Sequence, residues 1–452
     1  MFFLLRLVGI TNPPLEVAHN WRQSAVNTIA RNFEEIDGNI LYPRFDTAGE
    51  EDGVSGTEFP LFNYLIFIFN LLFGNAHWYG RLINLVVSSL GVFLFYRIIR
   101  DWFNHRLARY AAMVLLTSLW FTFSRKIMPD TFSLSLVMVS MFYGLTYLRD
   151  GKLWRLLVYM ALMTLGLLSK IPSLTIAAVM ALPLLDGGLS LNRKATLIIA
   201  SILPLVLSAW WYFYWFDHIT TGYQLFSMGP GSAEGMKQLI GAPLEMLDNF
   251  YFDALKFSGF VLFIIGLIAA IKNRAYNVLG VLLLSMTSFL LFMLQAGYGF
   301  SMHEYYTLPF VPTMAFMAGY GLSMIPLATI RSTLVAVIMI EGVANQQHDF
   351  FIKDKQRYKL GLEAFLDAHI GEELIVVNGG QNPQLMYFAH RRGWTESSER
   401  LSKGHRLKAL VRKGAQYLVW DKNVEVSPPS AITARAENEH FVIFDLSPTN
   451  RE

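Results

Sequence analysis

The sequence has no cysteine and little charge. Only 16% of its 452 residues are Asp, Glu, Lys or Arg, where a soluble globular domain carries about a quarter. Without cysteine there is no disulfide, no Cys-ligated zinc and no thiol nucleophile. The net charge of +3 is too small and too scattered to draw a nucleic acid. H-E-x-x-H, Walker A and G-x-S-x-G patterns are missing, and no run of carboxylates suits a metal. The expectation is therefore a protein without metal or cofactor. The opening MFFLLRLVGI is apolar for about ten residues, too short to cross a bilayer. Two expectations stay open for it: a short apolar start at Met1, or the remnant of a first transmembrane helix that begins upstream.

What the sequence has is apolar. It is 54% hydrophobic and 14% aromatic, with a mean hydropathy of +0.38. Runs of spanning or near-spanning length lie at 79–98, 108–124, 132–148, 156–168, 173–186, 195–216, 255–271, 276–295, 306–326 and 332–345. A further run, FPLFNYLIFIFNLLFG at 59–74, fits either a span or an interfacial helix. Charge decides between them. With 59–74 in the interface, Arg97, Arg100, Arg106, Arg109, Arg149, Lys152, Arg155, Arg193, Lys194, Lys272, Arg274 and Arg331 share one side. The other side's short loops hold Arg125, Lys126, Lys170 and Lys237. Positive-inside bias makes the richer side cytoplasmic. Residues 11–57, the 217–254 loop, HEYY and the C-terminal tail are then extracytoplasmic.

After about residue 350 the runs shrink to strand length: ELIVV, AQYLVW and FVIFDL, separated by helix-like stretches. That alternation predicts a small α/β domain. NGGQNP at 378–383 reads as a turn after a strand, lacking the spacing of a phosphate-binding loop. The expected division is a transmembrane domain over 1–349 and a soluble α/β domain over 350–452. The first contains an outer loop at 11–57 and an interfacial helix at 59–74.

The polar stretch from Thr11 to Tyr64 is where chemistry is expected. Its HNWRQ segment puts His19, Arg22 and Gln23 within five residues, offering a base, a phosphate-binding fork and an amide. The plainer reading is a solvated amphipathic helix, apolar through Ala25, Ile29, Ala30 and Phe33, with Arg31 and Glu35 as an i, i+4 pair. Glu58 precedes Pro60 and an apolar helix. It suits a helix-start anion, and equally a general base for an incoming acceptor. Arg81 opens another apolar helix; it either snorkels or holds a lipid phosphate. SRKIMPD supplies Arg125, Lys126 and Asp130, LLSKIPS supplies Lys170, and FSMHEYYTLPFVP supplies His303, Tyr305 and Tyr306. Each is an ordinary interface anchor alone. Together they line one face of an outer cavity.

These motifs in this order resemble the polytopic GT-C glycosyltransferases: protein O-mannosyltransferases, lipid A aminoarabinose transferases and, most closely, bacterial family-39-like membrane proteins. The resemblance runs over 11–345 and rests on HNWRQ…IARNF, NILYPR, GTEFPLFNYL…LFG, the Arg81 helix, SRKIMPD, LGLLSKIPS and HEYYTLPFVP. It implies a mainly α, polytopic bundle of about ten to eleven spans. It implies an inverting transferase that moves a hexosyl or pentosyl group from a polyprenyl-phosphate donor to a hydroxyl of a protein, lipid or glycan. The membrane would be the bacterial inner membrane, with the site facing outside. A loop carboxylate would take the acceptor proton, and Arg or Lys would hold the leaving phosphate. The chain departs from such relatives at Ala25, where they often show Asp. The base is then Glu58 first, with Glu16 and His19 as substitutes. Other readings stay open: a polyprenyl-linked glycan ligase or polymerase, a lipid or solute transporter, or an inactive partner subunit.

Overall fold

The computed structural model describes residues 2–226, 229–430 and 432–446. The chain divides into two compact units. The first comprises Met1–Ile10, Tyr79–Trp215 and Phe226–Phe350; the second comprises Thr11–Trp78, Phe216–Leu225 and Phe351–Glu452. This differs from the division expected from composition. The polar opening loop and the helix after it leave the apolar domain and join the C-terminal residues in one unit. Composition marks where hydropathy changes along the chain, whereas a compact unit depends on contacts between distant segments.

The first unit is helical. Among the described residues, Tyr79–Trp102, Pro129–Asp150, Leu191–Ile219, Tyr276–Ala296 and Ala328–Phe350 are long and apolar enough to cross a membrane. A sixth counts if Pro243–Ala254 and Lys256–Lys272, bent by 96°, form one broken span. This is fewer than the ten or eleven spans expected. His105–Thr117, Val311–Met324 and Leu153–Ser169 have 13, 14 and 17 residues, hence roughly 20–26 Å at ~1.5 Å per residue, against a hydrocarbon thickness of about 30 Å. The run at 173–186 breaks into short 3-10 and α turns between Pro172 and Pro183, since proline removes a helical donor.

Local signals explain several boundaries. Asn104 caps His105–Thr117, its side chain accepting from the Leu107 amide at 2.8 Å. Pro129 opens Pro129–Asp150 with Asp130 in the first turn, and Gly151 closes it at φ 71°. That helix is central: 78% of its apolar window is buried, against 11% for Ala328–Phe350, which lies at the edge of the bundle. It packs against Tyr79–Trp102 and Leu153–Ser169. Small polar residues seal the latter seam: Ser133 Oγ donates to the Gly166 carbonyl at 2.8 Å and Ser140 Oγ to that of Tyr159 at 2.7 Å.

The second unit holds a five-stranded sheet in the order β2-β1-β3-β5-β4. The strands are β1 (Ile375–Val377), β2 (Gly393–Thr395), β3 (Tyr417–Asp421), β4 (Ala434–Glu437) and β5 (Phe441–Asp445). β1 runs parallel to β2 and β3; β5 is antiparallel to β3 and to β4. The three apolar runs became β1, β3 and β5. β2 is Gly-Trp-Thr, without an apolar run, and β4 is mostly exposed, so neither has a hydropathy signature. NGGQNP is a turn, and Asn378 within it ties β1 to β3 by accepting from the Asp421 amide at 2.7 Å.

Helices Asn20–Glu35 and Leu61–Phe73 pack together in this unit, joined by Asn63 Nδ2 donating to the Val26 carbonyl at 2.9 Å. At 13 residues Leu61–Phe73 is too short to span. Asn20–Glu35 is not a solvated surface helix: Arg22 through Ala30, with Asn32 and Phe33, are all buried. Two of its polar side chains share one buried carboxylate. Arg31 pairs with Asp46 at 2.6 Å and Asn32 Nδ2 donates to the same carboxylate at 2.7 Å. The loop carrying Asp46 is laced to β2, Gly393 N donating to the Asp46 carbonyl and Gly49 N to that of Gly393. Gly49 sits at φ +66° with the Trp394 indole where a Cβ would go, so no other residue fits there.

Candidate active site

The structure distributes the predicted site residues over the two units. In the first unit, Arg81, Arg125, Lys126, Asp130 and Lys170 are all buried, at 9% exposure or less. Helix Tyr79–Trp102 presents Arg81, Asn84 and Ser88 on one face at i, i+3 and i+7. Asn84 Nδ2 donates to the carbonyls of Phe123, Lys126 and Met128, and Ser88 Oγ to that of Ser124. These bonds pin the SRKIMPD turn against the helix that carries Arg81.

Within that turn the charges are individually placed. Lys126 Nζ lies 2.8 Å from Asp349. Arg125 donates to the Gly9 carbonyl at 2.9 Å and stacks 4.2 Å over the Phe350 ring. Asp130 receives Lys170 Nζ on Oδ1 at 2.9 Å, while its Oδ2 is buried without a hydrogen bond among the described residues. Lys170 also lies 5.2 Å from the Tyr305 ring, which stacks on His303 at 5.2 Å. Asp130, Lys170, Tyr305 and Tyr306 line one small cavity. SRKIMPD, LLSKIPS and HEYY, far apart in sequence, thus meet.

The second unit holds the other group. Arg22 forms an ion pair with Glu58 Oε1, and Thr57 Oγ1 donates to Oε2 at 2.8 Å. Glu58 keeps 19% of its side chain exposed, whereas Gln23, beside Arg22 on helix Asn20–Glu35, is fully buried. Glu16 is buried, accepts from Asn12 Nδ2 at 3.1 Å and bridges to Ile352. His19 precedes the helix in the left-handed region at φ 54°. Gly56 N donates to Thr220 Oγ1 at 2.9 Å, and a Cβ there would strike Phe216 and Thr220. The missing side chain lets the 216–220 segment lie beside Glu58's own strand of loop. Ala25 is buried in apolar packing at 1% exposure.

Three participants escaped the sequence reading. Arg6, in the apolar opening segment, is 1% exposed and donates to Ser124 Oγ at 2.5 Å and Ser89 Oγ at 2.9 Å. A lone cation in an apolar decapeptide was its available signal. Asn84 was legible as the polar residue one turn after Arg81. Asp349, at the end of an apolar helix, has a local sequence that says nothing of Lys126.

Residues 57–213 match the family model described as dolichyl-phosphate-mannose-protein mannosyltransferase. Apo ArnT from Cupriavidus metallidurans superposes with a TM-score of 0.62 at 13% identity, covering 99% of this chain and 97% of that one. The chain has the GT-C glycosyltransferase fold. Within this fold, ArnT from Cupriavidus metallidurans bound to undecaprenyl phosphate gives a TM-score of 0.60 at 12% identity, covering 100% and 97% of the two chains. The GT-C oligosaccharyltransferase AglB from Archaeoglobus fulgidus, in complex with an inhibitory peptide and a dolichol-phosphate, gives 0.52 at 12% identity over 93% of this chain and 69% of that chain. No curated protein matches the chain in sequence.

Proposed function

We propose that the chain is an inverting glycosyltransferase that moves a sugar from a polyprenyl-phosphate donor to a hydroxyl acceptor at the outer face of the membrane. One observation carries this reading. A GT-C fold, shared with a protein solved with undecaprenyl phosphate, here buries Arg81, Arg125, Lys126 and Lys170 around the SRKIMPD turn of a single unit. Departure of a phosphate ester needs cations fixed where negative charge develops, and lipid-solvated helices retain buried cations only for such work or for structural pairing.

In this reading Arg81, Arg125, Lys126 and Lys170 hold the donor phosphate. His303, Tyr305 and Tyr306 in the first unit, and Arg22 and Gln23 in the second, are each assigned to substrate binding. Glu58 takes the acceptor proton as the hydroxyl oxygen attacks the anomeric carbon; the anomeric C–O bond breaks and its electron pair leaves with the polyprenyl phosphate. Glu16 and His19 are the substitutes. A second reading gives the proton to Asp130, whose Oδ2 is buried without a hydrogen bond among the described residues, whereas both oxygens of Glu58 already accept. No metal or cofactor is assigned a step.

The test is direct. Deleting the gene should make a polyprenyl-phosphate sugar accumulate, seen by mass spectrometry of lipid extracts, and lose one surface glycan modification. Unchanged carriers and glycans would exclude the transferase reading.

A further inference from the structure

A second cavity lies within the first unit, toward the end of helix Tyr79–Trp102 far from Arg81. Its volume is about 490 Å³, in the range of small-molecule sites. Ile98, which lines it, is 17 residues from Arg81 along that helix, roughly 25 Å at 1.5 Å per residue. The walls are apolar, with Trp102, Phe103, Met141, Leu145 and Val281 among them, and the polar lining residues are Asp186 and Asn277.

The rim is cationic. The Arg149 guanidinium stacks 4.6 Å over Trp102, a wall residue, and donates to the Asp101 carbonyl at 2.6 Å. Arg193 donates to the carbonyls of Leu148 and Arg149, and Lys194 to that of Asp186. None of these three cations forms an ion pair among the described residues. Two neighbouring carboxylates are paired with other cations, Asp101 with Arg100 at 2.6 Å and Asp150 with Arg155 at 2.8 Å; Asp186 accepts from the Gly188 amide at 2.8 Å and keeps its charge, so the rim is net cationic. An apolar cavity under three cations and one free carboxylate has a net positive rim, which matches an acyl chain that ends in a phosphate.

We propose that this cavity is a binding site for an anionic phospholipid, its acyl chain inside and its phosphate on Arg149, Arg193 and Lys194. The chain gains the dispersion contacts that an empty void forfeits. Guanidinium groups supply bidentate phosphate donors, and basic clusters at the membrane surface select anionic headgroups. The site is separate from the proposed catalytic cluster and takes a different lipid from the glycosyl donor.

The experiment uses the full chain in detergent, titrated with dioleoyl phosphatidylglycerol, dioleoyl phosphatidylcholine or glycerol 3-phosphate, and read by native mass spectrometry and thermal shift. Phosphatidylglycerol should bind tightest. Arg149→Gln with Lys194→Gln should cut its preference over phosphatidylcholine by about fivefold per cation removed, leaving only what Arg193 supplies. Val281→Trp, which fills the cavity, should weaken both lipids; Leu145→Phe gives the same reading through a smaller change if the first variant does not fold. Three results would each overturn the proposal: equal affinity for the two lipids in the wild type, a preference undiminished by the double substitution, or glycerol 3-phosphate stabilising as well as phosphatidylglycerol.

Discussion

Lys170 Nζ lies 2.9 Å from Asp130 Oδ1, and both side chains are nearly buried, at 11% and 5% exposure. Forty residues separate them in sequence, yet the pair joins two of the polar motifs.

Breaking this pair from one side should be costly. Lys170→Met leaves a buried carboxylate uncompensated, at about 3–5 kcal/mol. The double variant Asp130→Leu/Lys170→Met should recover much of that stability, because an apolar pair can replace a buried ion pair. It should recover none of the turnover. Thermal denaturation and transfer assays on the three variants check this, and recovery of both properties would make the pair structural only.

Glu58→Gln retains shape and hydrogen bonding but cannot accept a proton. Turnover is expected to fall by ~10²–10⁴ with donor affinity nearly unchanged. An active Glu58→Gln enzyme would move the base to Asp130 first, then to His19 and Glu16.

Arg81 is expected to act on donor binding and turnover together. Arg81→Ala should weaken both. Arg81→Lys should restore only part, since a point charge replaces a planar fork. Donor titration of the two variants separates this from simple helix anchoring, for which Lys would serve equally well.

One pH effect can be assigned in the second unit. His390 sits between two carboxylates, with Nδ1 2.6 Å from Glu363 and Nε2 3.0 Å from Glu35. The bond to Glu35 raises its pKa, against burial and the charge of Arg31, with Glu363 adding to the rise. A raised pKa in the folded state means the stabilisation is complete below about pH 6.5, the ordinary histidine value. It is lost as pH climbs through the folded value. Melting temperatures across this interval should show that decline in the wild type, and His390→Gln should flatten it. An unchanged profile in the variant would remove His390 from the effect.

Orientation in the membrane is proposed from charge, and the absence of cysteine makes it simple to measure. A single cysteine placed at Asn104 should resist an impermeant reagent added outside, and one placed at Glu50 should react. The reverse pattern would invert the topology.

Much of this was legible in sequence. The apolar runs located the helices, and ELIVV, AQYLVW and FVIFDL located β1, β3 and β5, because burial between packed layers demands local hydrophobicity. SRKIMPD, LLSKIPS and HEYY stood out because charge within an apolar chain is rare. The short strands β2 and β4 did not show: Gly-Trp-Thr is too brief and mixed to read as an apolar run, and the four mostly exposed residues of β4 carry no apolar alternation. Sequence leaves helix Asn20–Glu35 open between a solvated surface and a functional segment, because its Asn and Arg side chains find Asp46 and Tyr387 only in the fold.

By itself the sequence determined the solvent of the protein and the places where its charges fall, because the cost of charge in lipid acts residue by residue. Only the tertiary structure decided which charges meet. Lys126 takes Asp349 and Arg22 takes Glu58; the opening loop folds with the C-terminal strands. Hydropathy is a local property of the chain, but an ion pair is satisfied by any partner the fold brings within reach.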